Sequence, residues 1–554
     1  MSINKLSFSA LIVTGLLLTP ITLAARNIDV TTARNVANNF LKRQAGNVPG
    51  SFNAPAIADL TLTHAEPSGA VNGASAYYAF NITGGGWVII AGEDRATPVL
   101  GYSDKGRIDF NHMAEPLHDL LDNYKREIEY LQQHSGDGLK IASRRSGEAT
   151  GGVEPMTRST WGPEMPYYLQ CPMQNDKYSK VGCVGVAMFQ MVYFWKYPIT
   201  CGPIPGYYCS RLSTTLPELP ATTFEYDKML LTYCHWDWDN TALVQDVYTD
   251  EQAQAVAKLA RYCGQAAKIN YSPNLSSTSE TNKVNGMKLL GFNANATSIS
   301  SVTTGYSTEK WESLIKNELD AGRPVMYAFD KPNAVGHAFI IDGYNEENYF
   351  HMNMGWYGTN DGWYMTTAIT FTNRYGVNID YSTSNRMILN LEPPLYCIFD
   401  SDEINAATGL IVLGQDLCPQ ANGVKLNTSY RTVGLGFALT DADGVEVATS
   451  ELLQVKRHLF ENGCTIQSAF SLPTTLQEGV YNLQFNCYDN DTILANAGTA
   501  PGKLVVVGKF AKYNAPFDVS DVSLAINYVL NNAPTQVNLD VVDITKLINH
   551  ILGK

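Results

Sequence analysis

The segment from Met156 to about Asn390 places its helical patterns first and its strand patterns last. Helices are predicted over Cys183 to Trp195, Asp250 to Ala266 and Lys310 to Ala321, and apolar runs that end in glycine-rich turns follow them. A doubly wound sheet would alternate the two kinds of element along the chain. The segregation therefore indicates an α+β fold for this segment.

The length of the chain predicts several domains. Its 554 residues correspond to roughly three or four domains of about 150 residues each. Hydrophobic residues make up 45% and charged residues 17%, a balance typical of globular proteins rather than disordered ones. The net charge of -14 repels phosphate backbones, which makes nucleic acid a poor partner.

The first residues have the pattern of a targeting signal. Lys5 precedes an apolar run from Leu6 to Leu18, and the small-residue site Thr22-Leu23-Ala24 follows. The run is too short for a membrane span, and no later window approaches about 20 uninterrupted apolar residues. We therefore expect a cleaved signal peptide over residues 1–24 and a secreted protein, extracellular or at the cell surface, without a membrane span.

The next part of the chain predicts a small α+β domain followed by a linker. Amphipathic helices are predicted over Val30 to Leu41 and Pro116 to Gln133, with strand-like runs between them. The stretch from His134 to Gly152 is polar, rich in glycine and serine, and dibasic at Arg144-Arg145. This composition is typical of an exposed linker that proteases can reach.

Beyond Pro393-Pro394 the chain changes to short strand-like runs divided by turns. About seven such runs over roughly 110 residues predict a β-sandwich domain, which we place at residues 394–508. Residues 509–554 contain a repeat in which Asp518 and Asp521 recur as Asp540 and Asp543, offset by 22 residues. Each copy predicts one amphipathic helix with an aspartate cap.

This repeat resembles the dockerin modules, in which twin helices each follow an EF-hand-like calcium loop. Residues Tyr513 to Asp521 and Val537 to Asp543 lack the alternating Asp or Asn ligands and the central glycine of such a loop. The module is therefore expected to be a degenerate dockerin-like two-helix repeat that packs without metal, with calcium binding as the alternative. The resemblance also implies a protein partner for the module.

Ten cysteines are divided between two parts of the chain. Six lie between positions 171 and 263 and four between 397 and 487, which suggests two separate cores. None shows a C-x-x-C spacing, and no cysteine and histidine cluster has zinc spacing, so neither a metal nor another cofactor is expected. Cys201 and Cys209 could close the loop between them, but the spacing leaves the disulfide connectivity open.

One cysteine has the position of a nucleophile. Cys183 follows a glycine at the start of a long apolar helix that ends before Pro198. The unpaired N–H groups and the macrodipole at a helix N-terminus stabilise a thiolate there. A buried structural cysteine is the alternative that composition alone leaves open.

A histidine and a later polar segment complete the pattern. His337 leads an apolar strand that ends at Gly343, and the next strand carries Asn353 and then Trp356. An Asn or Trp beside an imidazole can fix its tautomer and shield it from water. A lone histidine would usually be structural, but a Cys, a His about 150 residues later and then an Asn is the chain order of papain-like peptidases.

Three motifs carry a family resemblance: GCVGVAMFQMVYFWKYP around Cys183, GHAFIIDGY around His337, and FHMNMGWYGTNDGWY downstream. Together they resemble the streptopain (interpain-type) family of secreted papain-fold cysteine peptidases. The segment GGGWVIIAGEDRATPVLGYSDKGRIDF, residues 84–110, resembles the prodomain of that family, which folds on the enzyme and keeps it latent. The resemblance implies an inhibitory prodomain over 25–147 and a papain-like peptidase domain over 148–393.

The resemblance also implies a mechanism and its residues. Cys183 as a thiolate and His337 as an imidazolium would hydrolyse polypeptides by acyl transfer, and Asn353 or Trp356 would orient or cover the imidazole. The Cys183 backbone N–H would supply half of an oxyanion hole. The prodomain would act as an intramolecular inhibitor.

Two departures from the family pattern leave a second hypothesis open. Pro163 stands where the family has its oxyanion glutamine, for which Gln170 could substitute, and Met354 stands where a tryptophan is usual. The leading hypothesis is a secreted cysteine endopeptidase made as a latent precursor. The alternatives are a catalytically impaired homologue that binds peptides or surface glycoproteins, and an adhesion protein that acts through its β-sandwich.

Overall fold

The predicted signal peptide and most of the predicted linker, residues 135–150, lie outside the residues that the structure describes. The computed structural model describes residues 27–47, 60–134, 151–293, 295–331, 334–370, 384–394, 397–398, 404–406, 409–426, 433–455, 464–489, 492–494, 496–497, 502–531 and 537–554. No helix within these ranges is long and apolar enough to cross a bilayer.

The two helices predicted over Cys183 to Trp195 and Asp250 to Ala266 have those bounds in the structure. The helix Glu280–Leu289 was not expected, because its buried residues form no apolar stripe in the sequence. In chain order the helices are Val30–Asn47 (α1), Glu115–Gln133 (α2), Cys183–Trp195 (α3), Asp250–Ala266 (α4), Glu280–Leu289 (α5), Ser301–Thr304 (α6), Thr308–Asp320 (α7), Val519–Leu530 (α8) and Val541–Ile551 (α9).

The strands fall into three groups along the chain. The N-terminal group is Leu60–Pro67 (β1), Ser75–Ile82 (β2), Trp87–Ala91 (β3) and Val99–Ser103 (β4). The central group is Met173–Gln174 (β5), Lys177–Tyr178 (β6), Thr200–Cys201 (β7), Tyr207–Cys209 (β8), Thr214–Leu216 (β9), Thr222–Thr223 (β10), Cys234–Asp237 (β11), Ala242–Gln245 (β12), Thr297–Ser300 (β13), Val325–Lys331 (β14), Ala334–Tyr344 (β15), Phe350–Asn353 (β16), Gly362–Tyr364 (β17) and Ser384–Leu389 (β18). The C-terminal group is Cys397–Ile398 (β19), Ile411–Val412 (β20), Asp416–Leu417 (β21), Gln420–Leu426 (β22), Val433–Thr440 (β23), Glu446–Thr449 (β24), Leu453–Val455 (β25), Cys464–Gln467 (β26), Phe470–Ser471 (β27), Gly479–Asp489 (β28), Thr492–Leu494 (β29), Asn496–Ala497 (β30), Gly502–Val507 (β31) and Phe510–Tyr513 (β32).

One sheet joins the N-terminal and central regions. Its ten strands have the order β1-β2-β3-β4-β17-β16-β15-β14-β18-β13. The junction is the antiparallel pair of β4 and β17, in which Tyr102 lies opposite Trp363 and Gly101 opposite Tyr364. A Cβ atom added to Gly101 would lie 2.4 Å from the Tyr364 ring, so this close approach requires glycine. The two regions therefore share one sheet and one hydrophobic core.

The buried helix α3 forms a second core with α4, α5 and the other face of β14 and β15. Almost every side chain of α3 is buried, which explains why its sequence is apolar on all sides. The helix ends at Lys196, in the left-handed conformation, just before Pro198. A mostly antiparallel sheet with helices packed against both of its faces confirms the α+β prediction for this region.

The C-terminal region is β-rich, as predicted. A four-stranded sheet, β26-β22-β19-β30, and a larger sheet around β28 and β23 enclose one core. Helices α8 and α9 pack over a small apolar cluster beside β31 and β32. Asp518 and Asp540 cap these helices in reciprocal capping boxes with Asp521 and Asp543, as the repeat predicted.

The resemblance of the two-helix repeat to dockerin modules stays a prediction. Within the described residues, no three His, Cys, Asp or Glu side chains are grouped so that they could hold a metal ion. Cys201 and Cys209, which the sequence suggested as a pair, are both buried free thiols in this structure.

Candidate active site

Cys183 is the first residue of α3 and is half-buried. Gly182 precedes it with φ of 79°, and a Cβ atom on Gly182 would lie 2.6 Å from the Ser276 carbonyl oxygen. Both the backbone conformation and the close approach therefore require glycine before the cysteine. This turn directs the first N–H groups of a buried helix toward the position of the thiol.

His337 lies near the start of β15, which packs against α3. In the sheet it is paired with Phe329 of β14. The contact between α3 and β15 places Cys183 and His337 on neighbouring elements. The structure thus brings together the two residues that the sequence motifs singled out.

Two carboxylates of α2 hold the His337 ring. Its Nδ1 lies 2.7 Å from Asp119 Oδ2, and its Nε2 lies 2.9 Å from Glu115 Oε2. Asp119 is only 2% exposed, whereas Glu115 is 51% exposed. A ring that donates from both nitrogens is an imidazolium, and here both of its N–H groups are engaged by α2. We call Glu115, Asp119 and His337 the carboxylate clamp.

The clamp changes the protonation of its own members. Burial disfavours the charged imidazolium, but the hydrogen bonds with Asp119 and Glu115 and the charges of Cys183 and Asp119 outweigh it and raise the pKa of His337 to about 10. The hydrogen bond with His337 in turn lowers the pKa of Glu115. His337 is therefore charged throughout the neutral range while α2 is docked.

Asn353 lies in a buried hydrogen-bond network between α3 and β16. Its amide donates to the Ser159 carbonyl oxygen at 2.8 Å and to Thr157 Oγ1 at 3.2 Å, and its Oδ1 accepts from Gln190 Nε2 at 3.2 Å. Trp356 is half-buried and packs against both cores. These contacts fix the strand next to His337, whereas the predicted role of Asn353 or Trp356 in orienting the imidazole stays a prediction.

A second histidine lies on the same strand as Asn353. His351 Nδ1 is 2.6 Å from Asp342 Oδ1, and Asp342 Oδ2 accepts from the Thr157 backbone N–H at 2.8 Å. Burial disfavours protonation of His351, but the charge of Asp342 and their hydrogen bond raise its pKa. This pair ties β15 to β16 and to the segment that carries Thr157, so it supports the strands of the site.

The segment that holds Pro163 lies beside the residues before Cys183. The Pro163 carbonyl oxygen accepts from the Val181 backbone N–H at 3.1 Å. Gln170, which the sequence suggested as a substitute oxyanion donor, instead donates to Gln254 Oε1 of α4 at 2.8 Å. The Gln170 amide is thus bonded to α4. Of the two oxyanion donors that the sequence suggested, the Cys183 backbone N–H remains.

Two parts of the chain match known protein families. Residues 161–364 match the Peptidase C10 family, and residues 25–128 match the Spi protease inhibitor family. Streptopain of Streptococcus pyogenes is 25% identical over 362 residues, which cover 61% of this chain and 84% of streptopain. The thiol protease/hemagglutinin PrtT of Porphyromonas gingivalis is 24% identical over 328 residues, 56% of this chain and 36% of that protein.

Two solved structures from Prevotella intermedia are also similar. The prointerpain A fragment is 24% identical, with a TM-score of 0.47, and the similarity covers 60% of this chain and 99% of that one. Active interpain A is 25% identical with a TM-score of 0.36, covering 45% of this chain and 99% of that one.

The matched regions define the class of protein: this chain is a cysteine-type peptidase. More narrowly, it is streptopain-like: a region that matches the Peptidase C10 family follows a region that matches the Spi protease inhibitor family.

Proposed function

We propose that this chain is a secreted endopeptidase made as a latent precursor, in which Cys183 and His337 hydrolyse peptide bonds. The observation that supports the proposal is that β15, which carries His337, packs against α3, which begins at Cys183, while the inhibitor-like region holds the imidazole. The proposed domains are a prodomain over residues 25–147 and a peptidase domain over 148–393. Its substrates are polypeptides, and the prodomain is its intramolecular inhibitor.

The proposed reaction is acyl transfer through a thioester. The Cys183 sulfur bonds to the carbonyl carbon of the substrate, and the peptide C–N bond breaks as His337 gives its proton to the leaving amine. Water then attacks the thioester while His337 takes a proton from it, and the acid product leaves as Cys183 is regenerated. The Cys183 backbone N–H at the start of α3 stabilises the oxyanion.

The carboxylate clamp supports latency in this proposal. Both ring nitrogens of His337 are bonded to carboxylates of α2, so neither is free to pair with the Cys183 thiolate or to give a proton to a leaving amine. Glu127 of α2 adds two buried contacts, accepting from Thr367 Oγ1 and from the Ala368 N–H, each at 2.6 Å. Because α2 and β4 are both engaged, the prodomain must leave as a unit after its linker is cut.

We expect processing to occur within the linker between about Lys140 and Gly152. The segment is polar and offers the dibasic site Arg144-Arg145. N-terminal sequencing of the active form, combined with an assay of protein hydrolysis before and after cleavage, tests this expectation. A mature N-terminus upstream of Gly101, or full hydrolysis by the uncleaved chain, would contradict it.

Pro163 determines how well the oxyanion is stabilised. Proline has no side-chain donor, and loss of one oxyanion donor costs roughly 100- to 1,000-fold in kcat. Since the Pro163 carbonyl is anchored to the Val181 N–H, a glutamine at this position starts beside the residue that lies two positions before Cys183. We expect Pro163→Gln to raise kcat up to roughly 100-fold with little change in KM, because the new bond forms mainly in the transition state.

Gln170→Ala is the control for this substitution, because the Gln170 amide is bonded to Gln254. It is expected to leave kcat within about twofold, the size typical of a surface change. A 100-fold loss in Gln170→Ala, with no gain in Pro163→Gln, would place the oxyanion donor at Gln170 instead.

Pro163 also favours the second candidate, a catalytically impaired homologue that binds peptides in its cleft. The two hypotheses differ in one measurement. The processed wild-type chain hydrolyses an unfolded protein substrate under the first hypothesis, whereas under the second it binds that substrate without cleaving it.

A further inference from the structure

A hairpin beside the candidate site carries two tryptophans that the N-terminal region covers. The hairpin consists of β11 and β12, with Trp236 on β11 opposite Leu243 and Trp238 in the turn that follows. The Trp236 ring packs on the His112 ring with centroids 5.4 Å apart, and Trp238 meets Trp236 edge-on at 6.1 Å. A Cβ atom added to Gly106 would lie 3.3 Å from Trp238 Nε1, so the chain at Gly106 also covers the pair. We call residues 234–245 the tryptophan hairpin.

The covering loop leads directly into the carboxylate clamp. His112 precedes Glu115 by three residues, which span at most about 11 Å of extended chain. The base of the hairpin is anchored to the segment around Pro163, since the Leu231 carbonyl oxygen accepts from the Thr160 N–H at 3.0 Å. The tryptophan hairpin therefore borders the cleft that holds Cys183 and His337.

Two polar groups of the hairpin are available to bind a ligand, an indole N–H and a carboxylate. The Trp236 indole nitrogen is buried and has no hydrogen-bond partner among the described residues. Asp239, at the turn, is 86% exposed and lies 3.6 Å from Arg107 of the covering loop. Loss of the N-terminal region would therefore uncover an aromatic pair, an indole N–H and a carboxylate on the same rim of the cleft.

We propose that the tryptophan hairpin is a substrate-binding subsite of the processed peptidase, which takes an aromatic side chain against Trp236 and Trp238 and a basic side chain near Asp239. This inference rests on the function proposed above. The loop that covers the hairpin already has this chemistry, with the planar ring of His112 on Trp236 and the cation of Arg107 near Asp239. A substrate polypeptide of the same character can replace it once the loop has left.

The two contacts contribute unequally. An aromatic ring packed on an indole selects its substrate by about tenfold over alanine. The pair of Arg107 and Asp239 is long and exposed at both ends, so a basic side chain adds at most a few-fold and its effect falls with salt. The aromatic preference is therefore the quantity to measure.

The test compares matched peptides in the processed enzyme. One series carries Phe at successive positions on either side of the cleaved bond, and the reference series carries Ala there. The wild-type enzyme is expected to prefer Phe over Ala at one position by about tenfold in kcat/KM. The double variant Trp236→Ala/Trp238→Ala is expected to lose that preference, and Trp236→Phe/Trp238→Phe is expected to retain most of it.

His235→Ala is the matched control on the same strand. Its side chain alternates to the other face of the hairpin and pairs with Asp246 at 2.7 Å. A structural role for the tryptophans would lower kcat/KM for both peptide series equally and leave their ratio unchanged, which would overturn the proposal. An unchanged Phe preference in the double variant would overturn it as well.

Failure of the proposed function gives a different result. A wild-type chain that cleaves neither series refutes the endopeptidase proposal, but the subsite is still measured by calorimetric titration of peptide binding. Tighter binding of the Phe series that is lost in the double variant supports the subsite. Equal binding of the two series overturns it.

Discussion

Replacing Cys183 by alanine is expected to lower kcat of the processed chain by a factor on the order of 10⁶, because the nucleophile and its base act as one unit. The fold should remain intact. Cys183 is half-buried at the start of α3, and the substitution removes one sulfur atom without touching the Gly182 turn or the helix N–H groups. Hydrolysis of an unfolded protein and thermal unfolding of the same preparation measure the two effects.

Cys464→Ala provides a matched control. Cys464 is also half-buried, but it lies on β26 in the C-terminal region. We expect it to retain wild-type hydrolysis. Activity that survives in Cys183→Ala and is lost in Cys464→Ala would contradict the assignment of the nucleophile.

Opening the carboxylate clamp is expected to activate the uncleaved precursor. A hydrogen bond to a charged group contributes about 1.5–3 kcal/mol, so two of them hold His337 with roughly 3–6 kcal/mol. In Glu115→Gln/Asp119→Asn both bonds lose their charge and His337 is released to pair with the Cys183 thiolate, so the alkylation rate of Cys183 should rise roughly 10²- to 10⁴-fold. The measurement uses full-length protein in which Arg144→Ala/Arg145→Ala prevents cleavage of the linker.

Glu129→Gln is the control for the clamp, because Glu129 is also an acid of α2 but accepts from the Gly69 N–H within the N-terminal region. It should leave the alkylation rate unchanged. An equal rise in both variants would show that general loosening of α2, rather than release of His337, controls the thiol.

The stability that the carboxylate clamp contributes depends on pH. The pKa of His337 is raised from about 6.5 to about 10, so the clamp contributes its full stability below pH 6.5 and loses it as the pH rises through 10. In the NMR spectrum of the precursor, the His337 ring should stay protonated from pH 6 to pH 8. In the clamp variant it should titrate at lower pH, because the carboxylates that favour its charge are gone.

The elements that local patterns specify agree with the structure. Gly182 and Pro198 limit the α3 helix on either side, and Asp518 and Asp540 are caps that favour a helix start. The position of Cys183 on α3 followed from the same signals. These features depend on residues a few positions apart, so the sequence contains them directly.

The features that were missed depend on tertiary contacts. The pairing of β4 with β17 joins strands about 260 residues apart in the sequence. The sequence of neither strand indicates which other strand it pairs with. Glu115 and Asp119 gave a partial signal, since Asp119 lies among the apolar residues of an amphipathic helix. A carboxylate on such a face needs a buried partner, but only the docking of α2 decides that the partner is His337.

Gln170 shows the same limit. The sequence offered its amide as an oxyanion donor because it lies in the loop before Cys183. In the folded chain it is bonded to Gln254, 84 residues away. The position of Gln170 in the sequence, shortly before Cys183, therefore did not indicate which residue its amide contacts.

Selective alkylation tests directly whether Cys183 is the nucleophile of this peptidase. The processed chain is treated with one equivalent of iodoacetamide, and each of its ten cysteines is quantified by peptide mass spectrometry while hydrolysis is followed. We expect that Cys183 is modified first, that hydrolysis falls in proportion, and that Cys183 is protected in the precursor. Full modification of Cys183 with unchanged hydrolysis, or a loss of hydrolysis that follows another cysteine, would contradict it.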